Sequence, residues 1–295
     1  MARNTVLPAI DFERVDQLID MALSEDLGER GDTTTLAVIP AELRAVAVLR
    51  AKSDCVVAGL AVAERVFKKL DPECTFDALV ADGDFCPKGT LLARISGSAQ
   101  MLLTAERTAL NFLQRLCGVA TTAYRYTEAL EGTDTCLLDT RKTTPGYRNL
   151  EKYAVAAGGA TNHRIGLFDR LMIKDNHREL AGLEGAGGIA RSVRRGREMY
   201  PDLEIEVEAD RLEEVQEAIE AGADYILLDN MSNEMMAEAV KMNAGRCKLE
   251  ASGNITIERL PAIGKLGVDF VSSGALTHSV KAADISMDIE LEKAE

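Results

Sequence analysis

Short apolar runs that end abruptly in polar residues set the texture of the second half of this chain: CLLDTRK (136–142), RLMIKD (170–175), EIEVE (204–208), YILLD (225–229), CKLEAS (247–252) and DFVSS (269–273). Runs of this length, bounded by polar residues, predict six β-strands. Between the later runs, apolar residues recur at helical spacing. Leu212, Val215 and Ile219 follow Asp210, a capping residue with Glu213 three positions on, and close at Gly222. Residues 232–244 close at Gly245, and Ile257, Leu260, Ile263 and Leu266 close at Gly267. The strand ends Glu208, Asp229, Ser252 and Ser273 lie 21, 23 and 21 residues apart, so a strand-then-helix unit repeats. Such a repeat builds a parallel sheet with right-handed crossovers. The runs read as apolar enough to be buried on both faces, and six units predict an open, incomplete version of the eight-stranded α/β barrel.

The first 115 residues differ: a helical pattern at Val15, Leu18, Ile19 and Ala22 precedes short β-like runs, 45–49 and 91–95, between Gly- and Pro-bearing turns. They predict a separate α+β domain over 1–115, with the α/β domain over 116–283. A helical stretch over 102–130 bridges the two, with Gly118 as an expected break. In the tail (284–295), Ile285, Met287, Ile289 and Leu291 alternate with polar residues, the period of a half-buried strand expected to rejoin the first domain.

Charge narrows the partners. Over 295 residues, 34 Lys and Arg stand against 48 Asp and Glu, a net charge of −14 that repels polyanions and argues against nucleic acid and anionic membranes. With no Trp and 4% aromatic residues, little is available for base stacking. No stretch reaches the ~20 apolar residues of a membrane span, and residues 1–12 lack a secretory pattern, which predicts a cytoplasmic protein. The six cysteines have neither Cys-x-x-Cys nor zinc-ligand spacing and read as reduced, mostly buried thiols.

Parallel βα architectures place their ligands at the carboxyl ends of the strands. Here those ends carry Arg141 and Lys142, Lys174, Glu208, Asp229, Ser252 with Gly253, and Ser273 with Gly274. Residues 139–178 hold eight basic residues against four acids, a +4 island in a −14 chain. Arg141, His163, Arg164 and Lys174 suit a small ligand with several carboxylates or phosphates. Arg148, Lys152, Arg170 and Arg178 fit solvated ion pairs better. The two Ser-Gly pairs suit a terminal phosphate, and Glu208 and Asp229 suit ribose hydroxyls and hydrated Mg²⁺, or a salt bridge to Lys174 or Lys142.

The blocks ERTALNFLQRLCGVAT (106–121), DTRKTTPGYRNLEKYAVAAGGATNHR (139–164), LMIKDNH (171–177), EVEAD (206–210), ILLDN (226–230), LEASGNI (249–255) and SSGALTHS (272–279) resemble the quinolinate phosphoribosyltransferase family almost end to end, including EDLGERGDTTT (25–35). The resemblance implies an N-terminal α/β sandwich, joined by the tail, packed on a six-stranded open barrel. It implies transfer of phosphoribose from 5-phosphoribosyl 1-pyrophosphate to quinolinate with decarboxylation. Nicotinate mononucleotide, pyrophosphate and CO₂ result, in NAD biosynthesis, with Mg²⁺ as cofactor.

By this resemblance Arg141, His163, Arg164 and Lys174 hold the quinolinate carboxylates. Lys142, Glu208 and Asp229 address ribose, pyrophosphate and metal, and Lys142, Lys174, Glu208 and Asp229 form the catalytic set. Thr140, Ser252, Gly253, Asn254, Ser273, Gly274 and Ala275 complete the substrate contacts. A homodimer is implied in which Arg107 reaches the neighbouring subunit's site. Cys117, Tyr147 and Asn254 depart from the family's usual Ser, Leu and Gly. Two other readings stay open from the residues alone: a Schiff-base aldolase with Lys174 as nucleophile, and a non-catalytic sensor of phosphorylated metabolites.

Overall fold

The computed structural model describes residues 7–183 and 187–291. The chain forms two compact units. One comprises the residues up to Tyr124, Thr144–Gly159 and those from Ser279 onward, and the other Arg125–Thr143 and Ala160–His278. The first unit reaches Tyr124, and the helix Arg148–Ala157 groups with it. Its buried Glu151 accounts for this grouping, accepting from Arg115 Nη2 (2.6 Å), the Thr144 amide (3.0 Å) and the Thr144 hydroxyl (2.9 Å).

In the first unit, an antiparallel sheet runs in the order Ile285–Leu291, Arg44–Ala51, Leu91–Ser98, Thr75–Ala78. The tail strand is fully in register, from Ala45 opposite Leu291 to Ala51 opposite Ile285. The helix Ala99–Glu128 runs unbroken through Gly118. Gly118 serves close approach instead of a break: a β-carbon there would collide with the Lys281 carbonyl oxygen and stand 3.1 Å from Ala282 Cα.

The second unit holds the six parallel strands, in the order Cys136–Leu138, Phe270–Ser272, Lys248–Ser252, Tyr225–Asp229, Ile205–Ala209, Leu171–Ile173. Among the described residues the two edge strands do not pair with each other, so the sheet stays open. The strands are not apolar on both faces. Register partners in a parallel sheet point to the same side, and side chains alternate along each strand. One face therefore carries Ile205, Val207, Ala209, Ile226, Leu228, Leu249, Ala251 and Val271, all buried. The other carries Glu206, Glu208, Tyr225, Leu227, Asp229, Glu250, Ser252 and Ser272.

Local details depart from the sequence pattern for identifiable reasons. Helix Leu212–Glu220 has Arg211 at its N-cap rather than Asp210, whose amide is instead taken by Glu214 Oε2 at 3.2 Å. The third βα helix is three short turns, Ile257–Arg259, Leu260–Ile263 and Gly264–Leu266, with Pro261 inside the middle one. Among the described residues, no helix is long and apolar enough to cross a membrane.

Candidate active site

Strand register draws the rim together. Ser252 lies opposite Asp229, Ser272 opposite Leu138, and Ile173 opposite Val207, which sets Lys174 beside Glu208. Lys174 Nζ donates to Glu208 Oε2 at 3.0 Å. That ion-paired ammonium is the opposite of the desolvated free amine a Schiff-base nucleophile requires. The Lys174 amide donates to His177 Nδ1, which caps the turn that follows.

At the other edge, Thr140 Oγ1 accepts the Lys142 amide (3.0 Å), and the Lys142 carbonyl accepts from Thr277 Oγ1 (2.8 Å). Lys142 lies over Gly274: a β-carbon on Gly274 would stand 2.9 Å from Lys142 Cδ. The Ser273 amide donates to the Leu138 carbonyl, and the Ser273 hydroxyl to the Ile255 carbonyl. Ala275 opens the short helix Ala275–His278. Between these edges, Gly253 (φ +86°) and Asn254 (φ +50°) form a left-handed turn, with Asn254 Nδ2 donating to Asn230 Oδ1. Asn takes this conformation more readily than most residues, so the departure from Gly at 254 keeps the turn.

The basic island centres on a buried loop. Asp139, fully buried, accepts the His163 amide (2.8 Å) and Asn162 Nδ2 (2.8 Å). Arg164 Nη1 donates to the Arg170 carbonyl at 3.0 Å. Burial first, then the nearby Arg141 charge, holds the Arg164 guanidinium pKa below its usual value. Arg170 and Arg178 are structural as expected, yet they are not solvated. Arg170 stacks on Tyr225 (4.0 Å) and pairs with Glu204, while Arg178 pairs with the buried Glu214 at 2.8 Å. Lys152 is also buried.

Sequence reasoning missed Glu206 and Glu250. Each sits two residues before a rim residue on the same strand face, so both lie one layer below the rim, and both are fully buried. Their visible signal was a charged residue in mid-run, inside EIEVE and CKLEAS. His163 Nε2 is 3.2 Å from Glu206 Oε2 and 3.3 Å from Glu250 Oε2. Nε2 thus faces two buried carboxylates. Burial, then the Glu206 charge, raises the Glu250 carboxyl. The Arg164 amide donates to His163 Nδ1 at 2.7 Å, so that nitrogen carries a lone pair and the ring is neutral.

Arg107 belongs to the first unit, exposed on the helix Ala99–Glu128 beside buried Thr108, Ala109 and Leu110. Four cysteines are buried, Cys136 is exposed, Cys247 is intermediate, and all six are free thiols.

Residues 32–117 match the N-terminal domain, and residues 119–288 the C-terminal domain, of quinolinate phosphoribosyl transferase. The chain belongs to the quinolinate phosphoribosyltransferase family. Among its relatives, the chloroplastic nicotinate-nucleotide pyrophosphorylase (carboxylating) of rice is 43% identical, over 97% of this chain and 80% of that protein. A probable nicotinate-nucleotide pyrophosphorylase (carboxylating) of Synechocystis is 43% identical, over 93% of this chain and 92% of that protein. Among solved structures, the nicotinate-nucleotide pyrophosphorylase of Francisella tularensis superposes with a TM-score of 0.90 at 37% identity, covering 97% of this chain and 100% of that one. Glu208 and Asp229 offer hard oxygen donors on adjacent strands, a donor set that fits Mg²⁺.

Proposed function

We infer that this chain transfers phosphoribose from 5-phosphoribosyl 1-pyrophosphate to the ring nitrogen of quinolinate with loss of the 2-carboxylate. The products are nicotinate mononucleotide, pyrophosphate and CO₂, a pentosyltransferase step of NAD biosynthesis. The observation that carries the reading is the convergence of Lys174, Glu208, Asp229 and Ser252 at neighbouring strand ends on one sheet face, with the buried Arg164 guanidinium anchored on the Arg170 carbonyl at 3.0 Å. Guanidinium and ammonium groups there bind a dicarboxylate with paired, charge-assisted hydrogen bonds.

In this reading Arg141, Arg164 and Lys174 hold the carboxylates and orient the pyridine nitrogen. Ser252, Gly253, Asn254, Ser273, Gly274 and Ala275 receive the 5-phosphate, and Thr140 and Lys142 address the ribose and pyrophosphate. Glu208 and Asp229 face the ribose, where positive charge builds as the anomeric C–O bond breaks, and stabilise it electrostatically. The same two carboxylates would hold Mg²⁺ through water, and the metal when bound neutralises charge on the departing pyrophosphate. N-alkylation makes the ring a pyridinium whose positive charge stabilises the electron pair left at C2 as CO₂ departs, and a proton from solvent then fills C2, so no further cofactor is needed.

We also propose a homodimer in which Arg107 completes the partner's site, a role its exposure on an otherwise buried stretch of helix supports. Six free thiols suit a reducing compartment such as the cytoplasm. The test is product analysis of the purified chain with quinolinate, 5-phosphoribosyl 1-pyrophosphate and Mg²⁺. Equimolar pyrophosphate and CO₂ are expected, whereas pyrophosphate without CO₂ would reject the decarboxylating reaction.

A further inference from the structure

The resemblance makes His163 a ligand for a substrate carboxylate, but its Nδ1 is taken within the chain and its Nε2 is enclosed by two buried carboxylates. Nδ1 accepts the Arg164 amide at 2.7 Å, so this nitrogen carries a lone pair and the ring proton belongs to Nε2. Nε2 is directed between two acceptors, Glu206 Oε2 at 3.2 Å and Glu250 Oε2 at 3.3 Å, without close alignment to either. The His163 side chain is 5% exposed and the two carboxylates no more than 1%.

A cation is the rival occupant. The three donor atoms lie within 4.8 Å of one another, a spacing a metal ion could use. A metal-bound Nε2, however, needs its lone pair, which moves the ring proton to Nδ1, where a ligating histidine donates it. Here Nδ1 faces a donor, the Arg164 amide, and that hydrogen bond excludes the arrangement.

The position of the cluster gives it a function. Glu206 and Glu208 are two apart on one strand, and Glu250 and Ser252 two apart on another, so each buried carboxylate underlies a rim residue on the same face. Above the cluster, the loop carrying Arg164 is held by Asn162 Nδ2 and the His163 amide on Asp139, the Arg164 amide on His163 Nδ1, the Arg164 guanidinium on the Arg170 carbonyl, and the Ile165 and Gly166 amides on Asp169. Of these, the bond to Nδ1 depends on the orientation of the imidazole ring.

We propose that Glu206 and Glu250 are positioning residues that hold the His163 ring through Nε2, so that its Nδ1 fixes the Arg164 backbone, and that His163 makes no ring-nitrogen contact with substrate. The proposal rests on the reading of Arg164 as a carboxylate-binding residue. Loss of the clamp leaves the Arg164 guanidinium present but poorly placed.

The chain has three histidines, His163, His177 and His278, so ¹⁵N-histidine NMR with single substitutions assigns each ring. His163 is expected as the neutral tautomer protonated on Nε2, unchanged at saturating quinolinate. Protonation of Nδ1, before or after quinolinate is added, overturns the proposal. This readout requires no turnover and so stands apart from any failure of the enzymatic reading. Kinetics give the second readout. Glu250→Leu, similar in size but without an acceptor, is expected to raise the quinolinate KM at least about tenfold, with kcat and the 5-phosphoribosyl 1-pyrophosphate KM within about threefold. Glu250→Gln keeps an acceptor for Nε2–H and is expected to restore the quinolinate KM. Equal effects on both substrates, or no rescue by Gln, would assign the cluster a merely structural role and defeat the proposal.

Discussion

Gly253 and Asn230 stand so close that a β-carbon on Gly253 would collide with the Asn230 side-chain oxygen and lie 2.8 Å from the Asn230 backbone nitrogen. Gly253 also sits at φ +86°, a conformation an L side chain adopts only under strain. The two constraints act together, so relaxing the backbone would not by itself admit a methyl group.

Gly253→Ala is therefore expected to distort the rim turn, at a cost of about 1–3 kcal/mol, lowering Tm by about 2–6 °C. The KM for 5-phosphoribosyl 1-pyrophosphate should rise more than that for quinolinate, because the turn lies with the hydroxyl side of the rim. Thermal denaturation and steady-state kinetics measure both effects. An unaltered Tm with both KM values intact would remove Gly253 from the site.

Acid sensitivity follows from Glu214. Burial alone would raise its carboxyl, but hydrogen bonds from Arg178 and Arg211, each 2.8 Å, outweigh burial and bring it down to about 2. A folded pKa below the unfolded one, near 4.5, contributes stability in full above the unfolded value and loses it as pH falls towards 2. Glu214→Gln should lower the unfolding free energy by about 1–3 kcal/mol at neutral pH, with the deficit shrinking as pH falls below about 4.5. Urea unfolding at pH 7 and pH 3 checks this, and a deficit constant across pH would contradict it.

A shared site has a stoichiometric consequence. If Arg107 serves the partner's site while Lys174 serves its own, mixing inactive Arg107→Ala and Lys174→Ala chains regenerates one intact site per mixed dimer. Random exchange then restores about a quarter of native activity, since half the dimers are mixed and each has one good site. Activity assays after subunit exchange read this out. Recovery should be nil if both residues serve the same chain.

The sheet was legible because its strands are short runs ended by polar residues at near-constant spacing, and all six occur where the runs lie. Interior alternation was not legible. Glu206 and Glu250 sit among apolar neighbours and look like interruptions of a buried strand until register shows that their face carries the site. Gly118 misled for a similar reason: glycine in a helix reads as a break, whereas here it admits the Lys281 backbone, a contact between residues far apart in sequence. The rim residues were recoverable because strand ends are marked in the sequence. The hydrogen bond from the Arg164 amide to His163 Nδ1 depends on ring orientation and has no sequence signal beyond the adjacency of the two residues.

The central claim is that the rim grips a dicarboxylated pyridine, and the most direct measurement compares kcat/KM for quinolinate, nicotinate and nicotinamide with 5-phosphoribosyl 1-pyrophosphate and Mg²⁺. A site built to pair with a second carboxylate discriminates strongly against ligands lacking it, so quinolinate should be preferred by at least about a hundredfold. Comparable values for nicotinate and quinolinate would contradict the account.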